Sequence, residues 1–169
     1  MFDSKVRELV FASLVADAYC LGSHWIYDEE QLKKLNVDWD KLNNACSIWH
    51  KGISAGEFTH YGDQTYFFYT FIENEESFDV KKYVKNWHAK MLVYNGYIDG
   101  ATRDTFKNID DGLEIPCGSS SDDFSIVSRI IPLLKVSSTK EEFFENVKTF
   151  VKATHDNQDV LSAADFFAH

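Results

Sequence analysis

Asp79-Val80-Lys81-Lys82-Tyr83-Val84-Lys85-Asn86-Trp87-His88-Ala89-Lys90-Met91-Leu92-Val93-Tyr94-Asn95 places its apolar residues, Val80, Tyr83, Val84, Trp87, Met91 and Leu92, three and four positions apart. That is the period of a helix with one buried face. Just upstream, Asp63 to Glu73 opens with an acid suited to a helix start and continues with Phe67, Phe68 and Phe71. Two consecutive buried helices with no alternating run between them point to an all-α fold.

Outward from this pair the same period recurs. Between Ser4, a plausible cap, and about Leu21, the residues Val6, Leu9, Val10, Leu14 and Ala18 predict a first helix. Glu29 to Leu35 predicts a short one. Ser121 to Val136 begins Ser-Asp-Asp and predicts a helix that Pro132 must end or kink. Thr139-x-x-Glu142 has the form of a capping box leading into Phe143, Val147 and Val151, and Asp156 to Ala168 supplies a last amphipathic segment. Residues 36–61 are rich in turn formers and isolated tryptophans. A stretch of that length without structure is either a functional loop or a misread element.

The 169 residues are 44% hydrophobic and 15% aromatic, enough apolar matter for one domain spanning 1–169. Seventeen Lys and Arg against 27 Asp and Glu give a net charge of −10, which repels phosphate backbones and anionic lipid. Nucleic acid is therefore excluded as an expected partner, and a small anionic ligand would need a local device such as a metal ion or a helix amino-terminus. No run of about 18 apolar residues occurs, so no membrane span is expected. Three scattered cysteines, Cys20, Cys46 and Cys117, fit reduced thiols, and the start Met1-Phe2-Asp3-Ser4-Lys5 lacks a leader's pattern. A cytoplasmic location is the expectation.

Five segments bear groups that could do chemistry. Ala16-Asp17-Ala18 puts a carboxylate among Leu14, Val15 and Leu21, where it needs a partner, and Gly22-Ser23-His24-Trp25-Ile26-Tyr27-Asp28 follows. His60-Tyr61-Gly62-Asp63-Gln64-Thr65 gathers hard oxygen donors at a loop-to-helix junction, although Asp63 could equally be an ordinary cap after a Gly62 turn. The segment from Gly96 to Thr105 could line a pocket, or hold one helix end and the capped start of another. Gly118-Ser119-Ser120-Ser121-Asp122-Asp123 offers small side chains and amides of the kind that cradle a diphosphate, or a self-satisfied cap. Thr154-His155-Asp156-Asn157 sets an imidazole between two helices, where a lone histidine is usually structural.

Taken in order, these segments resemble the ADP-ribosylglycohydrolase family, and the His24-Trp25-Ile26-Tyr27-Asp28 start is particularly similar to the branch containing the J1-crystallins and selenoprotein J. The likeness extends to Ala163-Ala164-Asp165-Phe166-Phe167-Ala168. It implies a compact orthogonal all-α domain holding Mg²⁺ or Mn²⁺ ions that bind ADP-ribose and help water cleave ADP-ribosyl conjugates. It assigns Asp63 and Asp17 as catalytic groups, Asp63, Thr65 and Asp28 as metal ligands, and Ser119, Ser120, Ser121 and His155 as contacts to the ADP-ribosylated substrate. Two departures stand out. The family's Thr-Asp-Asp-Thr motif aligns with Gly62, Asp63, Gln64 and Thr65, so a carboxylate becomes the neutral Gln64. The family's carboxy-terminal Asp-Thr-Asp ligands would lie past the match to Phe167-Ala168, so the expected domain lacks its carboxy-terminal portion. Uncovered apolar helix faces would then favour a homo-oligomer. A non-catalytic, crystallin-like binding or structural protein is the alternative to an active hydrolase.

Overall fold

A computed structural model describes residues 4–169; the reading of Met1-Phe2-Asp3 lies outside the described residues. The chain winds through α1 (Ser4–Cys20), α2 (Glu29–Lys34), α3 (His60–Ile72), α4 (Val80–Leu92), α5 (Gly100–Asp110), α6 (Lys140–Thr154) and α7 (Gln158–Ala168). Short 3-10 turns occupy Ile48–His50, Phe124–Arg129 and Ile131–Val136. The all-α expectation holds, and the extended pairing among the described residues is a single bridge between Ser119 and His155.

Side-chain caps set the helix starts. Asp28, Thr59, Asp79, Asp99, Thr139 and Asn157 each accept from amides of the first turn of the helix that follows. At α6 the predicted capping box forms with a shift: Thr139 Oγ1 accepts from Glu142 N at 3.1 Å, while Glu142 reaches back to Ser138 N at 2.6 Å. Helix α3 begins three residues before Asp63, because Thr59 supplies the cap. The capping role that Asp63 could have filled thus belongs elsewhere. Residues 121–136 correct another expectation. They form two 3-10 turns that meet at Ile130, since Pro132 has no N–H to donate and crowds the preceding turn.

The core lies where α3, α4 and α6 meet. Phe68 and Phe150 stack with centroids 4.1 Å apart, and Tyr83 lies 5.1 Å from each. Helix α1 adds Val6, Val10 and Leu14 at four-residue spacing. Its other face leaves Leu9, Phe11 and Val15 exposed. An apolar groove of about 820 Å³ runs there, lined by Leu9, Phe124, Ile131, Leu134 and Phe167 among others. No helix of the described residues is long and apolar enough to cross a membrane.

Candidate functional site

The amino-terminal half of α3 carries the polar centre. Asp17, on α1, accepts from Thr59 N and from Thr59 Oγ1, both at 2.7 Å, and so holds the capping residue of α3. The expectation that Asp17 would be bonded within an apolar helix face is met, although its residue is half-buried rather than fully enclosed. Burial pushes its carboxyl above the ordinary range, against the lowering effect of the Thr59 and Gly62 donors. Gly62 makes room for this carboxylate. A Cβ there would lie 2.3 Å from Asp17 Oδ2, so close approach explains why position 62 carries glycine.

Two residues further on, Gln64 is fully enclosed and fully used. Its Oε1 accepts from Trp87 Nε1 at 3.0 Å and from Arg129 Nη1 at 2.8 Å. Its Nε2 faces Asp99 Oδ2 at 3.3 Å and Thr102 Oγ1 at 3.4 Å. Arg129, only 1% exposed, is a buried cation bonded to a neutral amide and to Ser125 Oγ at 3.4 Å. Burying a guanidinium is costly without compensation, and Asp99 and Asp123 act alongside it on the same neighbours, Tyr61 and His155. Asp99 also caps α5, accepting from Thr102 N at 2.7 Å.

The other acids are equally committed. Asp63 accepts from Tyr94 OH at 2.5 Å; burial raises its carboxyl pKa, the tyrosine bond acts against that, and Asp17 and Glu57 reinforce it. Asp123 accepts from Tyr61 OH at 2.8 Å and Ser125 N at 2.8 Å. Burial pushes Asp123 up, but the bonds from Ser125 and Tyr61 outweigh it and hold the carboxyl below its usual value.

Two clefts open beside this centre. One of about 670 Å³ is lined by His24, Trp25, Tyr27, Tyr61, Asp123, Phe124 and Ser125. The second, about 300 Å³, takes in Asp17, Gly62 and Thr65 and shares Tyr61 and Ser125 with the first. The residues assigned by resemblance therefore part company. Asp17, Gly62 and Thr65 come together on one wall, and Asp63 is held behind them by Tyr94. Asp28 caps the exposed α2, accepting from Gln31 N at 2.6 Å.

Ser119 and His155 lie in the interior instead of lining these clefts. Ser119 N donates to Thr154 O at 3.0 Å, and Asp156 N donates to Ser119 O at 2.8 Å. Gly118 permits this approach, since a Cβ there would be 2.5 Å from His155 N. Ser119 Oγ accepts from Ser121 N and Ser121 Oγ from Asp123 N, so the loop spends these amides on itself. Ser120 is exposed and Ser121 half-buried. His155 is buried with Nδ1 against Thr154 Oγ1 at 3.0 Å, and burial with Arg129 nearby lowers its pKa to about 4.

Sequence reasoning missed Arg129, Asp99, Trp87 and Tyr94 as members of this centre. Arg129 had a signal, a single guanidinium in the apolar run Ile126 to Leu134. Asp99 lay in the Gly96 to Thr105 segment, read as a pocket wall or a capped helix start, and it is the cap of α5; Trp87 and Tyr94 had no signal, because only the fold brings them to this centre.

The donor set at Gly62–Thr65 does not fit a Mg²⁺ or Mn²⁺ pair. Such ions need oxygen ligands near 2.1 Å in close to octahedral array. Here Gln64 Oε1 is occupied by an arginine, Thr65 Oγ1 donates to Tyr61 O at 2.9 Å, and Asp17, Asp63 and Asp99 each serve a protein donor.

Comparison with known proteins agrees with the likeness read from the sequence. Crystallin J1A of Tripedalia cystophora is 22% identical over 97% of this chain and 56% of its own length, so the chain spans about half the relative it matches. No solved structure matches. The profile of the ADP-ribosylglycohydrolase family matches residues 1–169, and the chain belongs to that family.

Proposed function

We propose that this chain is a family member that has exchanged its metal chemistry for an internal hydrogen-bond network, and that it serves as a non-catalytic helical binding or structural protein. The observation that carries this reading is Gln64 Oε1, bonded at once by Trp87 and the buried Arg129. A guanidinium 2.8 Å from the oxygen aligned with a metal ligand repels a dication from that point. The likeness to a crystallin supports a structural role in the same direction.

The second reading is the family reaction, metal-assisted hydrolysis of an ADP-ribosyl conjugate. Asp17, Gly62 and Thr65 on one cleft wall favour it, with Asp63 behind them and Mg²⁺ or Mn²⁺ as cofactor by family resemblance. The conjugate's linkage stays open in that reading. A cytoplasmic site of action and a single domain over 1–169 belong to both readings. Self-association through the exposed Leu9, Phe124 and Phe167 groove also belongs to both, and a monomer in sedimentation at micromolar concentration contradicts it.

Incubating the full chain with Mg²⁺ and an ADP-ribosyl-arginine or ADP-ribosyl-serine conjugate separates the readings. No ADP-ribose above the no-protein control is the expected result. Release that Asp63→Ala abolishes would establish the hydrolase instead.

A further inference from the structure

Three histidines that the family resemblance leaves without a role meet in the wall between two clefts. His24 comes from the turn after α1, His50 from the 3-10 turn in the long loop, and His60 from the first residue of α3. One ring nitrogen from each lies within 4.8 Å of the other two. His50 Nε2 and His60 Nδ1 face each other at 2.9 Å, so one proton is shared between the two nitrogens. His50 is 4% exposed and His60 1%. His24 Nε2, His50 Nδ1 and His60 Nε2 are each buried without a hydrogen-bond partner. The orphaned nitrogens of His50 and His60 are the outer ones, so the case for a ligand rests on the buried facing pair and on His24, three imidazoles brought to one point from three separate segments.

We propose that His24, His50 and His60 bind a transition-metal dication of the zinc class, each giving one imidazole nitrogen and leaving a fourth position for water. Imidazole donors select zinc and its neighbours in the first row, whereas magnesium and calcium prefer oxygen. Zinc–nitrogen bonds of about 2.1 Å at tetrahedral angles put the ligand atoms about 3.4 Å apart. The pair at 2.9 Å needs only to spread slightly, and the His24 nitrogen, within 4.8 Å of both, needs only a small rotation to meet the same spacing.

Each histidine has a carboxylate within electrostatic reach: Asp99 for His60, Asp17 for His50 and Asp123 for His24. Asp99 Oδ2 stands 3.6 Å from His60 Nε2, the outer nitrogen, which is where a carboxylate orients a metal-bound histidine. Arg129 is the opposing charge and acts on His60. Entry is open from both sides, since His24 lines the Tyr61 cleft and His50 and His60 line a cavity of about 230 Å³ beside Tyr97. None of the three histidines bonds Gln64, although Asp99 and Arg129 border both groups, so the site stands whichever reading of activity holds.

Titration of the chelator-stripped full chain with Co²⁺ reads the site directly. The expected result is one Co²⁺ per chain with the strong visible absorption of four-coordinate cobalt, displaced by stoichiometric Zn²⁺ and unaffected by excess Mg²⁺. His24→Ala should weaken zinc binding at least tenfold, and His169→Ala should leave it unchanged. Should His24→Ala fold poorly, imidazole NMR of the unaltered chain replaces it: Zn²⁺ should shift His24, His50 and His60 and spare His88 and His169. No cobalt spectrum, full zinc affinity in folded His24→Ala, or shifts confined to His88 or His169 would overturn the proposal.

Discussion

The two halves of α3 solve opposite problems. Phe68 and Ile72 in the second half are buried among rings and methyls, and their stability comes from area removed from water. His60, Gln64 and Thr65 in the first half are just as buried yet polar; Gln64 finds partners across the fold and Thr65 one turn back in its own helix, while His60 Nε2 has none. The apolar half is local in its logic. The polar half depends on residues as far along the chain as Asp17, Asp99 and Arg129.

Truncation in the apolar half should have the largest effect. Phe150→Ala removes the ring stacked on Phe68 and leaves a cavity, and the expected loss is about 4 kcal/mol in urea or thermal unfolding. A loss under about 1 kcal/mol would mean that the core collapses around the gap or is centred elsewhere.

The buried polar groups packed around the first half of α3, His155 at the end of α6 among them, should respond to pH where the apolar half does not. His155 has its folded-state pKa lowered from 6.5 to about 4, so its contribution is fully present above pH 6.5 and is lost as pH falls towards 4. About 3 kcal/mol should disappear over that window. Asp17 and Asp63, whose carboxyl pKa values are raised, oppose the loss at its acid end. Urea midpoints at pH 7 and 4.5, with chelator present, check it; His155→Gln should reduce the slope while His24, His50 and His60, whose pKa values burial also lowers, keep part of it, and an equal slope in that variant would contradict the assignment.

A smaller and sharper effect is expected at Gly62. Gly62→Ala drives a methyl against the Asp17 carboxylate and should cost about 1 kcal/mol, the clash outweighing the better helix propensity of alanine. In an Asp17→Ala background the same change should cost less, with Phe58 Cβ at 2.8 Å as the contact that remains. Additive costs in the double-mutant cycle would show that the two positions do not meet.

The same division separates what the sequence disclosed from what it withheld. Tyr83, Trp87 and Met91 announce their buried face by spacing, and Thr139 with Glu142 announces a helix start, because those signals lie within one or two turns. Pro132 was legible as a break, but not that residues 124–136 would settle into 3-10 turns on either side of Ile130. Asp17 was legible as an acid needing a partner, while Thr59 as that partner was not, being 42 residues away. Gln64 read as a lost carboxylate. That its oxygen would be taken by Arg129, 65 positions on, follows only from packing. Ser119 and His155 resembled pocket residues because small and imidazole side chains suit a pocket, yet the backbone bridge between them draws both inside.

Calorimetric titration with Mn²⁺ tests the central claim, that the position aligned with the family's metal ligands is filled by the chain's own hydrogen bonds. With the chain stripped by chelator and the histidine cluster saturated with zinc or removed by His24→Ala, binding weaker than about 100 μM is expected, as for a hard dication held by one or two carboxylates and several waters. Micromolar or tighter Mn²⁺ binding that Asp63→Ala abolishes would contradict it.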